Sequence, residues 1–246
     1  MKVPQLRKKT EIKSCHNVTW EDNYSWIHQK DILDVLKDKN KLNPEVKEYL
    51  EKEKLGVEYF GIGDLEVSHN DKYLAYSLDI KGSEYYTIFI RNIANNKIIT
   101  KEIIDTSGSI LFSLDDKYIF YSKLDENHRA RKIFRHEIGN LKDSDELIFE
   151  EKSDAFTVGI GLSSDEKYYF ISTSDHNTSE QYYFEVNEKK PQPKLIKERK
   201  RGILYSISSW DNKFYNHTNE EAEDFKVDIS ESLKNQNWKP FIREKN

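Results

Sequence analysis

The sequence predicts an all-β fold, a partial β-propeller of about four four-stranded antiparallel blades that follows a short helical N-terminal segment. One observation is a six-residue phrase that recurs four times, with aligned lysines at Lys72, Lys117, Lys167 and Lys213 that lie 45, 50 and 46 residues apart. This period is typical of propeller blades. A second observation is that 13% of the residues are aromatic, which favours strands over disorder. The four copies of the phrase are 68–73 (SHNDKY), 113–118 (SLDDKY), 163–168 (SSDEKY) and a less regular one, 209–214 (SWDNKF).

Residues 1–55 are predicted to be a segment of their own, first extended and then helical. The run 31–38 carries apolar residues at helical spacing. Asn43 and Pro44 are typical of the N-cap and first residue of a second helix, which continues with apolar residues three and four positions apart. Gly56 is expected to end this helix, after which the pattern changes to short strands.

Residues 56–246 are predicted to form the propeller, with four strands in each repeat. Tyr76, Tyr121 and Ile171 occupy corresponding places in the second strands, so we expect them to pack between neighbouring blades. The sequence leaves open whether the blades close into a ring or form an open arc, since propellers have from four to eight blades. The repeats are predicted at about 64–103, 109–150, 157–196 and 204–242, and the strands of the first at 65–68, 73–78, 86–92 and 98–103.

Composition excludes several classes of partner. The formal charge is −5 with acids and bases interspersed, which argues against nucleic-acid binding. The basic run 197–201 (KERKR) is interpreted as a solvated loop between blades. No run of about 18 apolar residues and no apolar signal segment is present, which argues against a membrane protein. Cys15 is the single cysteine, so no internal disulfide can form and a cytoplasmic location is expected.

A search for a catalytic serine finds no nucleophile elbow. That motif requires Gly-x-Ser-x-Gly at a tight turn between a strand and a helix. The nearest string contains Gly161 and Ser163 but lacks the second glycine. Ser163 also occupies the repeated turn position, matched by Ser68 and Ser113. We therefore interpret Ser163 as structural.

The other candidate groups also favour structural roles. The seven histidines show no His-x-x-x-His pair and the chain has no Cys-x-x-Cys pair, so no metal is predicted. No glycine-rich phosphate loop is present, so no cofactor is predicted. The prediction is that the chain contributes no catalytic, cofactor-binding or metal-binding residue. The adjacent groups that we considered and interpreted as incidental or solvated are Cys15–His16, Asp115–Asp116 and Glu220–Glu221.

Four stretches of sequence carry a resemblance to a known family. The stretches are 22–26 (DNYSW) with the helix at 44–53, then 61–76, then 119–126 with 134–139, and 147–152 with 178–180. Together they resemble the N-terminal part of the prolyl oligopeptidase family of serine peptidases, and most closely its oligopeptidase B branch, also called protease II. The similarity extends over nearly the whole chain from about residue 15.

The resemblance implies a propeller of seven blades that covers an α/β-hydrolase domain with a Ser, Asp and His triad. The propeller filters substrates by size, and the oligopeptidase B branch cleaves short peptides after Arg or Lys. The triad has no counterpart in this chain, so we expect an N-terminal propeller fragment that is inactive alone. Only about a dozen residues separate the helix at 44–53 from the phrase at 66–68 (EVS), where the resembling family has several dozen, so an early piece of the propeller is expected to be missing.

Two other functions remain open. The first is a non-enzymatic interaction module that pairs with a separately encoded α/β-hydrolase chain or another protein, in which case short peptides would bind only after complementation. The second is an unrelated small propeller enzyme, which has little support because no site residues converge.

Overall fold

The fold is described from a computed structural model, which describes residues 7–28, 31–53, 59–100, 102–140 and 145–243. The chain divides into two compact units, Met1–Phe60 and Gly61–Asn246.

The first unit begins with an antiparallel hairpin and continues with helices. The two strands, predicted only as extended chain, pair from Glu11 opposite Asp22 to Cys15 opposite Val18. His16 and Asn17 form the two-residue turn with φ of 48° and 65°, the left-handed conformation that tight hairpins favour. The elements are β1 (Glu11–Cys15), β2 (Val18–Asp22), a 3-10 turn (Ser25–Ile27), α1 (Ile32–Lys37), a second 3-10 turn (Lys39–Lys41) and α2 (Pro44–Glu53).

Helix α2 starts at the predicted residue. The Asn43 side-chain oxygen accepts a hydrogen bond from the Glu45 backbone N–H at 2.9 Å, which satisfies one of the free donors at a helix start. Val46 is buried, and Lys9 forms an ion pair with Glu45 at 2.7 Å. The predicted end at Gly56 lies outside the described residues.

The strands of the second unit form four blades, each an antiparallel meander. The first blade contains β3 (Gly61–Val67), β4 (Tyr73–Asp79), β5 (Tyr86–Asn92) and β6 (Lys97–Ile98), and the second contains β7 (Ile103–Phe112), β8 (Tyr118–Leu124), β9 (Ala130–Glu137) and β10 (Glu146–Glu150). The third contains β11 (Thr157–Leu162), β12 (Tyr168–Ser174), β13 (Ser179–Glu185) and β14 (Lys194–Lys197), and the fourth contains β15 (Tyr205–Trp210), β16 (Lys213–Thr218), β17 (Lys226–Ser230) and β18 (Lys239–Ile242).

The first and second blades share one hydrogen-bonded sheet because β7 serves both. Its first half pairs with β5, with Ile103 opposite Ile88. Its second half pairs with β8, with Ile110 opposite Tyr121. Gly108 lies between the halves with φ of 93°, where a Cβ would approach the Tyr86 ring at 3.0 Å. The predicted single strand at 98–103 is therefore wrong, because the outer edge of the first blade is divided between β6 and β7.

The hydrophobic core consists of layers between successive blades. Ile88 and Ile90 of the first blade pack with Ile110 and Tyr121 of the second. A second layer joins the second and third blades and includes Ile171, and a third joins the third and fourth blades. Tyr121 and Ile171 therefore lie between blades, as predicted. Tyr76 belongs to none of these clusters and stacks on Phe89 with ring centroids 5.4 Å apart.

In the first three blades the repeated phrase forms the same turn. Each serine hydroxyl accepts a hydrogen bond from the backbone N–H five residues later and donates one to the side chain two residues later. The bonds to the backbone are 3.0 Å for Ser68, Ser113 and Ser163, and the bonds to Asn70, Asp115 and Asp165 are 2.9, 2.8 and 2.8 Å. The following residue has positive φ in each copy, at Asp71, Asp116 and Glu166.

The fourth phrase forms a different turn. Ser209 and Trp210 continue the ladder opposite Phe214 and Lys213, so only two residues, Asp211 and Asn212, form the loop. The first three turns have four-residue loops. The fourth copy is thus similar in sequence but shorter in structure.

Candidate functional site

The turn serines do not form a catalytic arrangement in the structure. Ser163 is 5% exposed. Its hydroxyl accepts from Lys167 N–H and Tyr168 N–H and donates to Asp165. All the hydrogen-bonding capacity of the hydroxyl therefore serves the turn, which agrees with the structural interpretation of the sequence.

The acid doublets have separate structural partners. Asp116 has a side chain 4% exposed and accepts from the backbone N–H groups of His69 and Asn70 at 2.9 and 2.8 Å. Asp116 thus joins the second blade to the turn of the first, instead of being solvated as predicted. Glu220 pairs with Lys197 and lies 3.8 Å from Lys200.

The remaining pair of sequence candidates, Cys15 and His16, lies at the β1–β2 hairpin. Cys15 is exposed, and His16 forms the β1–β2 turn next to it. Within the described ranges, no three His, Cys, Asp or Glu side chains come together in a way that could hold a metal ion.

A buried ion cluster lies between the second and third blades. We call it the inter-blade clamp and define it as Glu151, Glu180 and Arg199. Glu151 follows β10, Glu180 lies in β13, and Arg199 follows β14. The Arg199 guanidinium donates to both carboxylates from Nη2 at 2.7 Å, and the Glu180 carboxylate also accepts from Arg199 Nε at 3.2 Å and backbone N–H at 2.9 Å. The clamp therefore ties the second blade to the third.

The electrostatics of the clamp favour the charged forms of Glu151 and Arg199. The two carboxylate side chains are 4% and 6% exposed. Burial by itself raises the pKa of Glu151, but hydrogen bonds from Ser153 N–H, the Thr173 hydroxyl and Arg199 hold that pKa below its ordinary value. Burial by itself lowers the pKa of Arg199, and the two carboxylates raise it overall. The Arg199 guanidinium also lies over the Phe156 ring, 4.1 Å from its centroid.

The clamp corrects the interpretation of the run 197–201 as a solvated loop. Arg199 has a side chain only 28% exposed, because it reaches two buried acids from different blades. No motif in the sequence indicates that Glu151 and Glu180 are buried together, because acidic residues are frequent along the whole chain. One signal was available: Glu151 and Arg199 lie 48 residues apart, close to the repeat period. Opposite charges at corresponding places in successive blades are well placed to pair.

A second buried network joins Thr100, Tyr121, His136 and Asp145. His136 is 1% exposed. One ring nitrogen, Nε2, lies 2.6 Å from the Thr100 hydroxyl, and the other, Nδ1, lies 2.8 Å from Asp145. The Tyr121 hydroxyl donates to the second Asp145 oxygen at 2.7 Å. Burial, followed by this bond to a carboxylate, raises the pKa of Tyr121.

This network has the order hydroxyl, imidazole and carboxylate that serine peptidases use. A substrate carbonyl would have to reach the Thr100 hydroxyl, which belongs to a residue 6% exposed beside a histidine 1% exposed. The network is therefore a structural connection between the β6–β7 segment and the second blade. None of its residues was singled out from the sequence as a functional candidate, because their spacing follows no motif.

No helix among the described residues is long and apolar enough to cross a membrane.

Comparison with known proteins agrees with the propeller fold described above. A family model described as "Prolyl oligopeptidase, N-terminal beta-propeller domain" matches residues 55–246. Among curated proteins, "Protease 2" of Moraxella lacunata is 31% identical over 172 residues, which is 69% of this chain and 25% of that protein. "Dipeptidyl aminopeptidase BI" of Pseudoxanthomonas mexicana is 27% identical over 191 residues, 76% of this chain and 26% of that protein. The chain spans about a quarter of the length of these relatives.

Solved structures show the same fold. Oligopeptidase B from Leishmania major superimposes with a TM-score of 0.73 at 17% identity, over 99% of this chain and 46% of that one. Oligopeptidase B from Trypanosoma brucei, in the closed form with covalently bound antipain, gives 0.72 at 16% identity, over 100% of this chain and 47% of that one.

Proposed function

This chain belongs to the prolyl oligopeptidase family, as part of its N-terminal β-propeller domain, and on that premise we propose that it is the non-catalytic propeller portion of a peptidase that cleaves short peptides after Arg or Lys. In the family the propeller is joined to a catalytic hydrolase domain in the same chain. We assign to the propeller the role of limiting, by size, which substrates reach that catalytic domain. The observation that carries the proposal is the family match over residues 55–246.

The contacts of two side chains, Ser163 and His136, support a non-catalytic role for this part of the peptidase. The turn serine Ser163 uses its hydroxyl within the turn. The buried histidine His136 faces Thr100 and Asp145 inside the second blade. A general base has to reach the proton that it removes from a bound substrate, and a substrate cannot reach the buried His136 ring.

The preference for Arg or Lys rests on the relatives. Protease 2 is the curated relative with 31% identity, and two of the similar structures are named oligopeptidase B. The resemblance to the oligopeptidase B branch implies cleavage after Arg or Lys, and we assign the selection of that basic side chain to the catalytic domain. We place the protein in the cytoplasm, because Cys15 is its single cysteine and disulfide-free chains are the rule in reducing compartments.

Hydrolysis of fluorogenic peptides tests the proposal. Purified 246-residue protein is incubated with short substrates that have Arg, Lys or Pro before the scissile bond, and in parallel with a fluorophosphonate that labels activated serines. We expect no hydrolysis above buffer and no labelling. A Ser163→Ala variant is the matched control for trace activity. Turnover by the wild type that this variant loses would overturn the assignment of a non-catalytic chain.

A second candidate function is an interaction module that pairs with a separately encoded α/β-hydrolase chain. It is favoured by a row of exposed apolar side chains on β3, namely Ile62, Leu65 and Val67, which are 57%, 56% and 46% exposed. Exposed apolar residues of this kind often mark association surfaces. Mixing the chain with the isolated hydrolase domain of a Protease 2 relative should produce a complex by light scattering. Hydrolysis of Arg substrates only in that mixture would support pairing, and two separate species would refute it.

A further inference from the structure

The second blade shows which side chains a blade presents to the blade before it. Residues paired across antiparallel strands place their side chains on the same face of the sheet. Ile110, Tyr121 and Phe134 form one such row across β7, β8 and β9, and this row packs against the first blade. Tyr121 stacks on Phe134 with ring centroids 5.7 Å apart and an interplanar angle of 17°. Ile110 and Tyr121 are buried in this layer, with 6% and 4% exposure.

The first blade repeats this row on the face turned away from the second blade. Leu65, Tyr76 and Phe89 are paired in the same order across β3, β4 and β5. Tyr76 stacks on Phe89 with ring centroids 5.4 Å apart and an interplanar angle of 21°, close to the geometry in the second blade. Leu65, however, is 56% exposed. We call this surface the first-blade face and define it as Leu65, Val67, Leu74, Tyr76 and Phe89.

The correspondence indicates what fits the first-blade face. Val67 is opposite Leu74 in the first blade, as Phe112 is opposite Ile119 in the second. Phe112 and Ile119 are almost completely buried, while Val67 is 46% exposed. The first-blade face therefore has the apolar side chains of an inter-blade layer, without the blade that would cover them.

The fourth blade presents the reciprocal surface, the one that a blade offers to the blade after it. Phe120 of the second blade and Phe170 of the third are buried in the layers that they form with the following blade. In β16, Phe214 packs in the layer with the third blade, so the next residue, Tyr215, points to the opposite face. The Phe241 ring lies edge-on to Tyr215 with centroids 5.5 Å apart, and Phe241 is 56% exposed. We call this surface the fourth-blade face and define it as Trp210, Tyr215, Val227, Ile229, Phe241 and Ile242.

A second copy of the chain supplies what each of these faces lacks. Every layer inside the chain joins one blade to the next through these same two kinds of face. Leu65 and Phe241 stay exposed, so the fourth blade does not cover the first blade of its own chain. Head-to-tail contacts between copies close into a ring where the rotation permits. Two copies contribute eight blades, which lies within the four to eight of closed propellers.

We propose that two copies of this chain associate head to tail into a closed ring of eight blades. The fourth-blade face of each copy packs on the first-blade face of the other, so the pair has two identical interfaces that continue the inter-blade layers of the chain. The inference concerns self-association and is independent of the proposed peptidase role.

The mass of the protein in solution is the first test. Sedimentation velocity of the 246-residue protein is measured from about 1 to 100 μM, the range in which interfaces of moderate affinity form. We expect a species with twice the mass of the chain. A monomer throughout this range would overturn the proposal and leave the two faces to a different partner, such as a hydrolase domain. Species of three or more copies would overturn the closed pair.

Variants then locate the interface. Leu65→Glu alters the first-blade face and Phe241→Glu the fourth-blade face, and each places a charge in an apolar contact. Either should raise the dissociation constant of the pair at least about thirtyfold. Leu147→Glu is the matched control, because Leu147 is 48% exposed but belongs to neither face. An unchanged constant in either face variant, or an equal rise in the control, would refute the location. If a face variant does not fold, the neighbouring exposed residue of the same face is changed instead, as Val67→Glu or Ile242→Glu.

A mixture of the two face variants distinguishes head-to-tail contact from pairing of like faces. The Leu65→Glu copy keeps its fourth-blade face, and the Phe241→Glu copy keeps its first-blade face, so one head-to-tail contact can form between them. We expect each variant alone to be monomeric and the mixture to form mixed pairs at the highest concentration. Pairs of either variant alone, or no mixed pair, would refute the head-to-tail arrangement.

Discussion

The inter-blade clamp offers the sharpest test of how the blades are held together. The perturbation is Arg199→Met, which keeps the length of the side chain and removes its charge. The two carboxylates that Arg199 joins, Glu151 and Glu180, are 4% and 6% exposed at their side chains. The variant therefore leaves two buried acids without their cation.

The expected loss of stability can be estimated from burial. Removing one partner of a buried ion pair costs about 3–5 kcal/mol, because the remaining charge is left uncompensated. Arg199 itself is 28% exposed, so water reaches part of the site and the lower end, about 3 kcal/mol, applies. The exposed neighbour Arg201 is the matched control, and Arg201→Met should change the free energy of unfolding by less than about 0.5 kcal/mol.

Urea denaturation, monitored by circular dichroism, measures the free energy of unfolding of both variants at pH 7 and at lower pH. The pKa of Glu151 in the folded protein lies below its ordinary value of 4.5. The stability from this group is therefore fully present above the unfolded pKa and is lost as the pH falls through the folded one. The difference between the wild type and Arg199→Met should shrink below about pH 4.5.

Two results would refute this reasoning. One is a loss at pH 7 below about 1 kcal/mol, which is the range of exposed pairs. The other is a loss that does not depend on pH. Adding Glu151→Gln and Glu180→Gln to Arg199→Met should restore part of the stability, because neutral amides are less costly to bury than charges.

Three further changes test the fold. Gly63→Ala should lower the free energy of unfolding in urea by about 1–3 kcal/mol, since its Cβ would lie 2.6 Å from the Ser77 hydroxyl. Gly159→Ala is the control: its Cβ would enter open space, so it should change that free energy by less than about 0.5 kcal/mol. Equal losses in the two variants would contradict the packing argument. Asp79 accepts three backbone N–H groups at 2.7–3.0 Å, which hold its pKa below the ordinary value although burial by itself raises it. Asp79→Asn should therefore cost about 1–2 kcal/mol at pH 7, with a deficit that falls below about pH 4; a deficit constant with pH would argue against the charge. Asp116→Ala should cost about 2 kcal/mol and speed amide exchange in the first-blade turn it contacts, and unchanged exchange would show that the contact does not hold that turn.

Much of the architecture could be predicted from the sequence, for a local reason. The repeated serine bonds to the backbone five residues later, as at Ser113 and Tyr118, so each turn is encoded within six residues. The N-cap at Asn43 is equally local. Such features depend on neighbours in the chain, and a periodic sequence therefore predicts a periodic fold.

The fourth turn shows where this reasoning fails. Residues 209–214 match the phrase, yet Trp210 pairs with Lys213 and the loop contains only two residues. The tight turn requires two residues with positive φ, which Asp211 and Asn212 supply. Similar sequences therefore form turns of two lengths, and in the fourth copy the Ser209 hydroxyl donates to Asp165 of the third-blade turn at 2.8 Å.

The sequence by itself determined the blade pattern, the helix start and the family, because each depends on residues close together in the chain or on their recurrence. Only the tertiary structure decided which polar residues are buried together. Glu151 meets Arg199 across 48 positions, and Arg135 reaches the carbonyl of Lys189 across 54. Contacts of this kind follow from how one blade stacks on the next, and no local pattern encodes them.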